Sequence, residues 1–323
     1  MDANEIRFTV KILKSHYELG MSQVEIAKQE HLSKSKVNRI IKKSLLDGYI
    51  KLTINYPITS VQELEDEFKR IFGLKKAFFA PVIVNDEELI KKDVSRALGM
   101  ELANIVDNDD IIGISWGNTM NSVASCLPKM NKNGVKIVQL NGGVSKNVKP
   151  TRTMNIIELF SDAFNGVSYI LPMPAIVDNS STVGVLKNDS QINYVFNLIE
   201  KSRIAIFSIG YLSFKSVLYS AKYFTKEEYV KLQQNGAVGD ICSRYFNLDG
   251  KVVDEMLDAR TIGVSLDVLK QKDYSIAVVV GEKKANAILG ALNGGYINTL
   301  FSDENTAKKV LKLYHHNKDN LIK

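Results

Sequence analysis

Along the first fifty residues, apolar side chains recur every three or four positions in three short bursts. Ile6, Val10, Leu13 and Tyr17 mark an amphipathic helix that Gly20 ends. Ser22, followed three residues later by Glu25, forms a capping box and predicts a second, short helix with Val24, Ile26 and Ala27 on its core face. Ala27 is small enough to let two helices cross closely. After a break at residues 30–32, Ser33 is a natural N-cap for a third helix with an inward stripe of Val37, Ile40 and Ile41. The stretch "YIKLTI", 49–54, alternates as a short strand would. Pro57, Thr59 and Ser60 then punctuate the chain, and Val61, Leu64, Phe68 and Ile71 predict one more helix before Gly73. At about two heptads that stripe is short for an independent coiled coil and suits docking on whatever follows.

From Lys76 onward the period changes. The apolar runs "AFFAPVIV", "IIGIS", "VKIVQL", "VSYILP", "RIAIFSIG", "TIGVS" and "YSIAVVVG" read as strands, and helical patterns fall between most of them, over 87–105, 118–127, 155–164, 190–201, 284–292 and 304–314. Such alternation predicts an α/β fold with a doubly wound, mostly parallel sheet covered on both faces. The expected organisation is an N-terminal all-α, winged helix-turn-helix domain over 1–55, a linker helix over 56–75 and a large ligand-binding domain over 76–323.

Composition adds limits rather than an answer. A chain of 323 residues with 45% apolar and 24% charged residues can bury two cores, and its net charge of +6 is compatible with nucleic acid or anionic ligands. The N-terminus lacks a signal-peptide pattern and no run of about 18 apolar residues occurs, so a cytoplasmic protein without membrane contact is expected. Cys126 and Cys242 lie far apart, and His16, His31, His315 and His316 show no ligand spacing, so no metal site is expected.

Where the charge lies is more informative. "HLSKSKVNRIIKK", 31–43, has no acidic residue, whereas a merely solvated helix usually mixes in Glu and Asp for pairing one turn away. At 3.6 residues per turn, Lys34, Ser35, Asn38 and Lys42 fall opposite the apolar stripe, with Lys36, Arg39 and Lys43 on its flanks. Lys and Arg answer phosphates, while Ser, Asn and Arg can read base edges. With the cap residue Ser33, these are the candidate contacts to double-stranded operator DNA. The longer stretch "SQVEIAKQEHLSKSKVNRIIKKSLLDGYIKL" resembles the helix-turn-helix family, with His31 at the turn position where a left-handed Gly is usual; His is enriched among the non-glycine residues that adopt that conformation.

In open α/β sheets, ligands bind beyond the carboxyl ends of the strands. Four polar turns stand there. "SWGNT" offers Gly117 for close backbone approach, with Asn118, Thr119 and Ser122 at a helix start suited to an anion. "QLNGG" brings the amides of Gln139 and Asn141 and the flexible pair Gly142 and Gly143. "GAVGDICSR" sets Asp240, an acceptor for sugar hydroxyls, near Arg244, a partner for phosphate, and "VGEKKANAI" puts Lys283 and Lys284 at a strand-to-helix turn. Together they describe a polar pocket for a small phosphorylated sugar.

The stretches "IIGISWGNTM", "VQLNGG", "LPMPAIVD", "AVGDICSRYFN", "RTIGVSLDVLK" and "KKANAILGALNGGYINTLFSDENTA", in this order after the helix-turn-helix, resemble the SorC family of bacterial transcription regulators, and within it the deoxyribonucleoside-regulator type. The resemblance implies a sheet of the type shared with ribose-phosphate isomerase, glucosamine-phosphate deaminase and CoA transferases, used to bind an effector rather than to turn it over. It also implies a phosphate loop at Gly117, Asn118 and Thr119, with Gln139 and Asn141 bordering the sugar and Asp240 and Lys284 closing the site. The chain departs from the pattern at Asn141, whose amide rules out amine chemistry with an aldehyde, and at Val280, where a second glycine is common. The expectation is a DNA-binding repressor of a sugar or (deoxy)nucleoside catabolic operon, a homodimer or homotetramer, with a phosphorylated sugar as effector and neither cofactor nor catalytic residue. Its rival is a sugar-phosphate isomerase or deaminase with a basic N-terminal domain. That chemistry wants a base and a partner acid, and the candidate region offers only the carboxylates Asp178 and Asp240.

Overall fold

In the computed structural model, which describes residues 2–50, 61–144 and 151–322, the chain divides into two units, Met1–Pro57 and Ile58–Lys323. Side-chain caps start each helix of the first unit. Asp2 accepts from the Glu5 N–H at α1 (Ala3–Tyr17), both halves of the Ser22–Glu25 capping box form at α2 (Gln23–Gln29), and Ser33 Oγ accepts from the Lys36 N–H at α3 (Lys34–Leu46). His31 takes φ 54° in the turn between α2 and α3, the left-handed conformation expected of it. Ile12, Leu13, Ile26, Ala27, Val37 and Ile41 make the core. It is too small to cover every apolar position in the pattern, so Ile6, Tyr17 and Val24 stay exposed while Phe8, Leu32 and Ile40 pack at its edge. The strand expected over 49–54 lies, from residue 51 on, outside the described residues, as do Pro57, Thr59 and Ser60.

The second unit begins with α4 (Gln62–Phe72). It docks on β1 (Lys76–Ala80) through Phe68, whose ring meets Phe79 edge-on at 4.7 Å, and through Glu65, which accepts the Phe79 N–H at 3.0 Å. After α5 (Glu87–Ile105) the chain alternates through β2 (Ile111–Ile114), α6 (Asn118–Cys126), β3 (Lys136–Gln139), α7 (Thr153–Phe164) and β4 (Val167–Tyr169). Then follow β5 (Ile204–Phe207), β6 (Ile209–Tyr211), β7 (Ala237–Ile241), β8 (Arg244–Asn247), β9 (Tyr274–Val278) and β10 (Thr299–Asp303). The main sheet has seven strands in the order β1-β10-β9-β5-β2-β3-β4, every neighbouring pair parallel. Along β5, Ile204 and Ile206 enter one core with Phe160 and Phe301, while Ala205 and Phe207 enter the other with Phe79 and Phe246. A strand buried on both faces in this way needs the near-continuous apolar run the sequence shows.

Three expectations change. "RIAIFSIG" is two strands broken at Ser208, the second of which joins β7 and β8 in a separate antiparallel sheet. "TIGVS" is no sheet strand; it runs extended through isolated bridges of Thr261 to Ile176 and Gly263 to Asn141. The turn expected at 236–244 is the hairpin of β7 and β8, and β10 went unread because its Thr, Ser and Asp dilute the apolar run.

Phe68 is fully buried, so Phe68→Ala should cost about 3–5 kcal/mol of stability in chemical denaturation, through lost burial and the cavity left between α4 and β1.

Candidate functional site

The chain winds from β2 to β3 and β4 on one side of the sheet, and from β5 to β9 and β10 on the other. The crevice between the carboxyl ends of β2 and β5 is therefore the topological switch point. A cavity of about 300 Å³ opens there. Residues 115–119 after β2 and residues 208–218 after β5 line it, joined by Asn141, the β7–β8 turn and Lys284.

One wall is the start of α6. Its N-cap, Gly117, has φ 124°, a conformation that favours glycine, and its own N–H is taken by the Thr151 carbonyl at 3.1 Å. Among the described residues no side chain caps the first turn of α6, which leaves the amide groups at Asn118 and Thr119, both in the cavity wall, as donors for an anion. Lys284, half-buried at the end of a short 3-10 turn (Glu282–Lys284), adds a positive charge. Lys283 points to other work: it pairs with Glu87 at 3.5 Å and lies over the Tyr211 ring.

A further part of the lining is the β7–β8 hairpin. Its two-residue turn, Cys242–Ser243, has φ 52° and 72°, where such turns ordinarily use Asn-Gly. This strained turn returns the Ser243 N–H onto Asp240 Oδ2 at 3.1 Å. Gly210, paired with Asp240 across the strands, leaves room for the carboxylate, since a Cβ there would fall on Oδ1. Burial pushes the Asp240 carboxyl up to about 6, against the lowering effects of the Ser243 N–H and of Lys284. Burial also brings the Lys284 ammonium down to about 8, with the Asp240 charge opposing. The Cys242 thiol is pushed upward by burial, so it stays protonated.

Three polar atoms of the cavity lining, Asn141 Oδ1, Ser208 Oγ and Ser243 Oγ, are buried without a hydrogen-bond partner among the described residues. Native interiors rarely leave such groups unpaired, and here they share one cavity.

Of the residues singled out in the sequence, Gly117, Asn118, Thr119, Asn141, Asp240 and Lys284 meet at this cavity. Five others do not. Both ends of the Gln139 amide are occupied, Nε2 donating to the Asn141 carbonyl at 2.6 Å and Oε1 accepting from Leu171 N–H at 3.2 Å, so Gln139 positions Asn141 instead. The N–H groups of Gly142 and Gly143 are taken by the carbonyls of Ile262 and Met173. Ser122 accepts from Ser95 Oγ at 3.0 Å and lines a neighbouring cleft with Lys91 and Lys92. Arg244 is spent on structure: its guanidinium pairs with Asp258 at 2.7 Å and donates to the carbonyls of Asp258, Thr261, Gly263 and Val264. It thereby clamps the "TIGVS" segment beneath Asn141. Sequence reasoning missed Ser208, Tyr211, Ser243 and Tyr245 in the wall; the one signal was a serine interrupting the apolar run "IAIFSIG".

In the first unit, Ser33, Lys34, Ser35, Lys36, Arg39, Lys42 and Lys43 are exposed and Asn38 is half-buried. Among the described residues no carboxylate lies within ion-pair distance of the basic side chains of α3.

The chain matches the Sugar-bind family model, which describes a sugar-binding domain, over residues 56–312. It is 32% identical over 311 residues to the deoxyribonucleoside regulator of Bacillus subtilis (strain 168), with 96% of this chain and 99% of that protein covered. The chain belongs to the SorC family of sugar-binding transcriptional regulators. Another SorC-family relative is the sorbitol operon regulator of Klebsiella pneumoniae, 29% identical over 317 residues with 96% of this chain and 99% of that protein covered. The crystal structure of full-length SorC from that organism aligns with a TM-score of 0.74 at 27% identity, covering 96% of this chain and 100% of that one. A SorC-family chain is a transcriptional regulator, so the sheet serves regulation and not the isomerase or deaminase chemistry that was its rival. Among the described residues no helix is long and apolar enough to cross a membrane.

The raised carboxyl of Asp240 yields a signed prediction. The folded chain holds this proton more tightly than the unfolded chain, so the group costs stability above about pH 6, and the cost fades as pH falls toward its ordinary value of 3.8. Asp240→Asn should stabilise the ligand-free protein by about 1–3 kcal/mol at pH 7.5 and by little near pH 4, read from denaturation midpoints at both pH values.

Proposed function

We propose that this chain is a repressor of a sugar or (deoxy)nucleoside catabolic operon whose DNA binding is relieved when a phosphorylated sugar enters the cavity at the β2/β5 crevice. The observation that carries the reading is one cavity that combines an uncapped helix start and Lys284 with buried polar atoms that have no partner among the described residues. The helix start and Lys284 suit phosphate, and the unpartnered atoms suit hydroxyls. Relatives named for deoxyribonucleoside, sorbitol and erythritol systems support a small hydroxylated effector.

In this reading α3 lies in the major groove. Lys34, Lys36, Lys42 and Lys43 meet phosphates, while Ser35, Asn38 and Arg39 face base edges, and Ser33, through its cap, orients the start of the helix. The protein works in the cytoplasm as a homodimer or homotetramer, since two half-sites require two copies of α3. Effector binding shifts an equilibrium between an arrangement that fits the operator and one that does not, which demands different affinities for the two.

A thermal-shift screen against phosphorylated and free pentoses, deoxypentoses and hexoses tests the cavity. Stabilisation by a phosphorylated sugar, absent for its free form and lost in Thr119→Ala, supports the reading; a flat panel refutes it. Arg39→Ala should weaken binding to DNA from upstream of the chain's own operon about ten-fold or more while leaving the ligand-induced shift unchanged, and Thr119→Ala should do the reverse. If both variants lose both activities, the division of labour between the two units is wrong.

A further inference from the structure

The same cavity also specifies the oxidation state of what it takes, an inference that rests on its being the effector site. Asn141 is 2% exposed, and its Oδ1, an obligate acceptor, borders the cavity with no partner among the described residues. Its place is fixed from behind: Gln139 holds its backbone carbonyl, and Gly263 of the clamped segment pairs with it and approaches so closely that a Cβ there would meet Asn141 itself. The backbone and Cβ of Asn141 are therefore held in one place beside the cavity. Among the described residues, the Asp240 carboxylate, the second obligate acceptor, accepts a hydrogen bond only from the Ser243 N–H. The same lining holds Ser208 Oγ and Ser243 Oγ, which have no partner among the described residues and can donate or accept.

Among the described residues, the buried atoms left unpaired at this cavity are one obligate acceptor and two adaptable hydroxyls, and none is an obligate donor. A ligand hydroxyl supplies a proton to such a wall and accepts one in return. A carbonyl oxygen supplies none, and placed here it would leave Asn141 Oδ1 buried and unpaired. We propose that the cavity selects a phosphate ester in its all-hydroxyl form, a polyol phosphate, over the carbonyl form of the same carbon chain, and that Asn141 is the residue that makes the distinction.

Pentulose 5-phosphates make a clean test because esterification of the terminal hydroxyl prevents ring closure and keeps the ketone exposed. Ribitol 5-phosphate and xylitol 5-phosphate should be titrated by calorimetry against ribulose 5-phosphate and xylulose 5-phosphate on the full chain. The expected result is at least about ten-fold tighter binding of the alcohol in at least one pair, because a site built to hydrogen-bond a hydroxyl discriminates strongly against an analogue that lacks it. In Asn141→Leu, which keeps the volume and removes the acceptor, the preference should shrink to a few-fold or less. Ser243→Ala, a smaller change at an unpartnered hydroxyl, should weaken the alcohol more than the ketone if Asn141→Leu fails to fold. Equal binding of alcohol and ketone, or a preference for the ketone, overturns this inference and leaves the anion reading of the cavity standing. Binding of neither ester removes both.

Discussion

The constraint on which the second unit depends is the fork between β2 and β5. The two strands are paired in register as far as Ile114 and Ile206, and the Ser115 N–H still reaches the Ile206 carbonyl at 3.0 Å. Beyond that bond the chains must part, because β2 leads toward β3 and β5 leads the other way. Parallel strands with crossover connections cannot fill the gap with a hairpin, so a crevice remains where loops converge. Close packing keeps it narrow: Leu140, just after β3, lies where a side chain on Gly113 of β2 would be. The site is thus a consequence of strand order, and the turns around it decide its chemistry.

Those turns bring together features that stand singly elsewhere in the unit. The half-buried Asp240 carboxyl is raised by desolvation, two successive non-glycine residues sit at positive φ in the Cys242–Ser243 turn, and buried polar atoms at Asn141, Ser208 and Ser243 go unpaired among the described residues. Each costs on the order of 1–3 kcal/mol. The cores on the two faces of the sheet, rich in fully buried Phe and Ile, supply the stability against which these costs are set. Costs of this kind persist where the groups that incur them serve a purpose other than folding.

How much of this the sequence disclosed follows from what a sequence encodes locally. Helix caps are local, so Ser22, Glu25 and Ser33 could be assigned from spacing, and so could the left-handed His31. The six residues that do meet at the cavity stand beside glycines or at strand-to-helix turns, again local signatures. Arg244 shows the opposite case. Its residue type and its neighbourhood of glycines suited a phosphate, but its partners are carbonyls 14 to 20 positions onward, and that distance carries no pattern. The hairpin was hidden because Cys-Ser replaces the usual turn pair and because Gly239 packs against Ala287 instead of presenting an apolar side chain.

The walls of the cavity come from residues 115–119, 208–218, 240–243 and 284, segments far apart in the chain and attached to different elements. A ligand that bonds to all of them favours one relative arrangement of α6, the link to β6, the hairpin and the helix Ala285–Asn293. A ligand held only by the rigid middle of a sheet would have equal affinity for every arrangement and would regulate nothing. Groups without protein partners sharpen the effect, because an arrangement that directs several of them at one point is disfavoured until something pairs with them there. Satisfying even one such group is worth about 1–3 kcal/mol, which is the range of coupling free energies by which one site commands another. The unpaired atoms of Asn141, Ser208 and Ser243 are therefore the means by which a small molecule in this cavity would gain leverage over the rest of the chain.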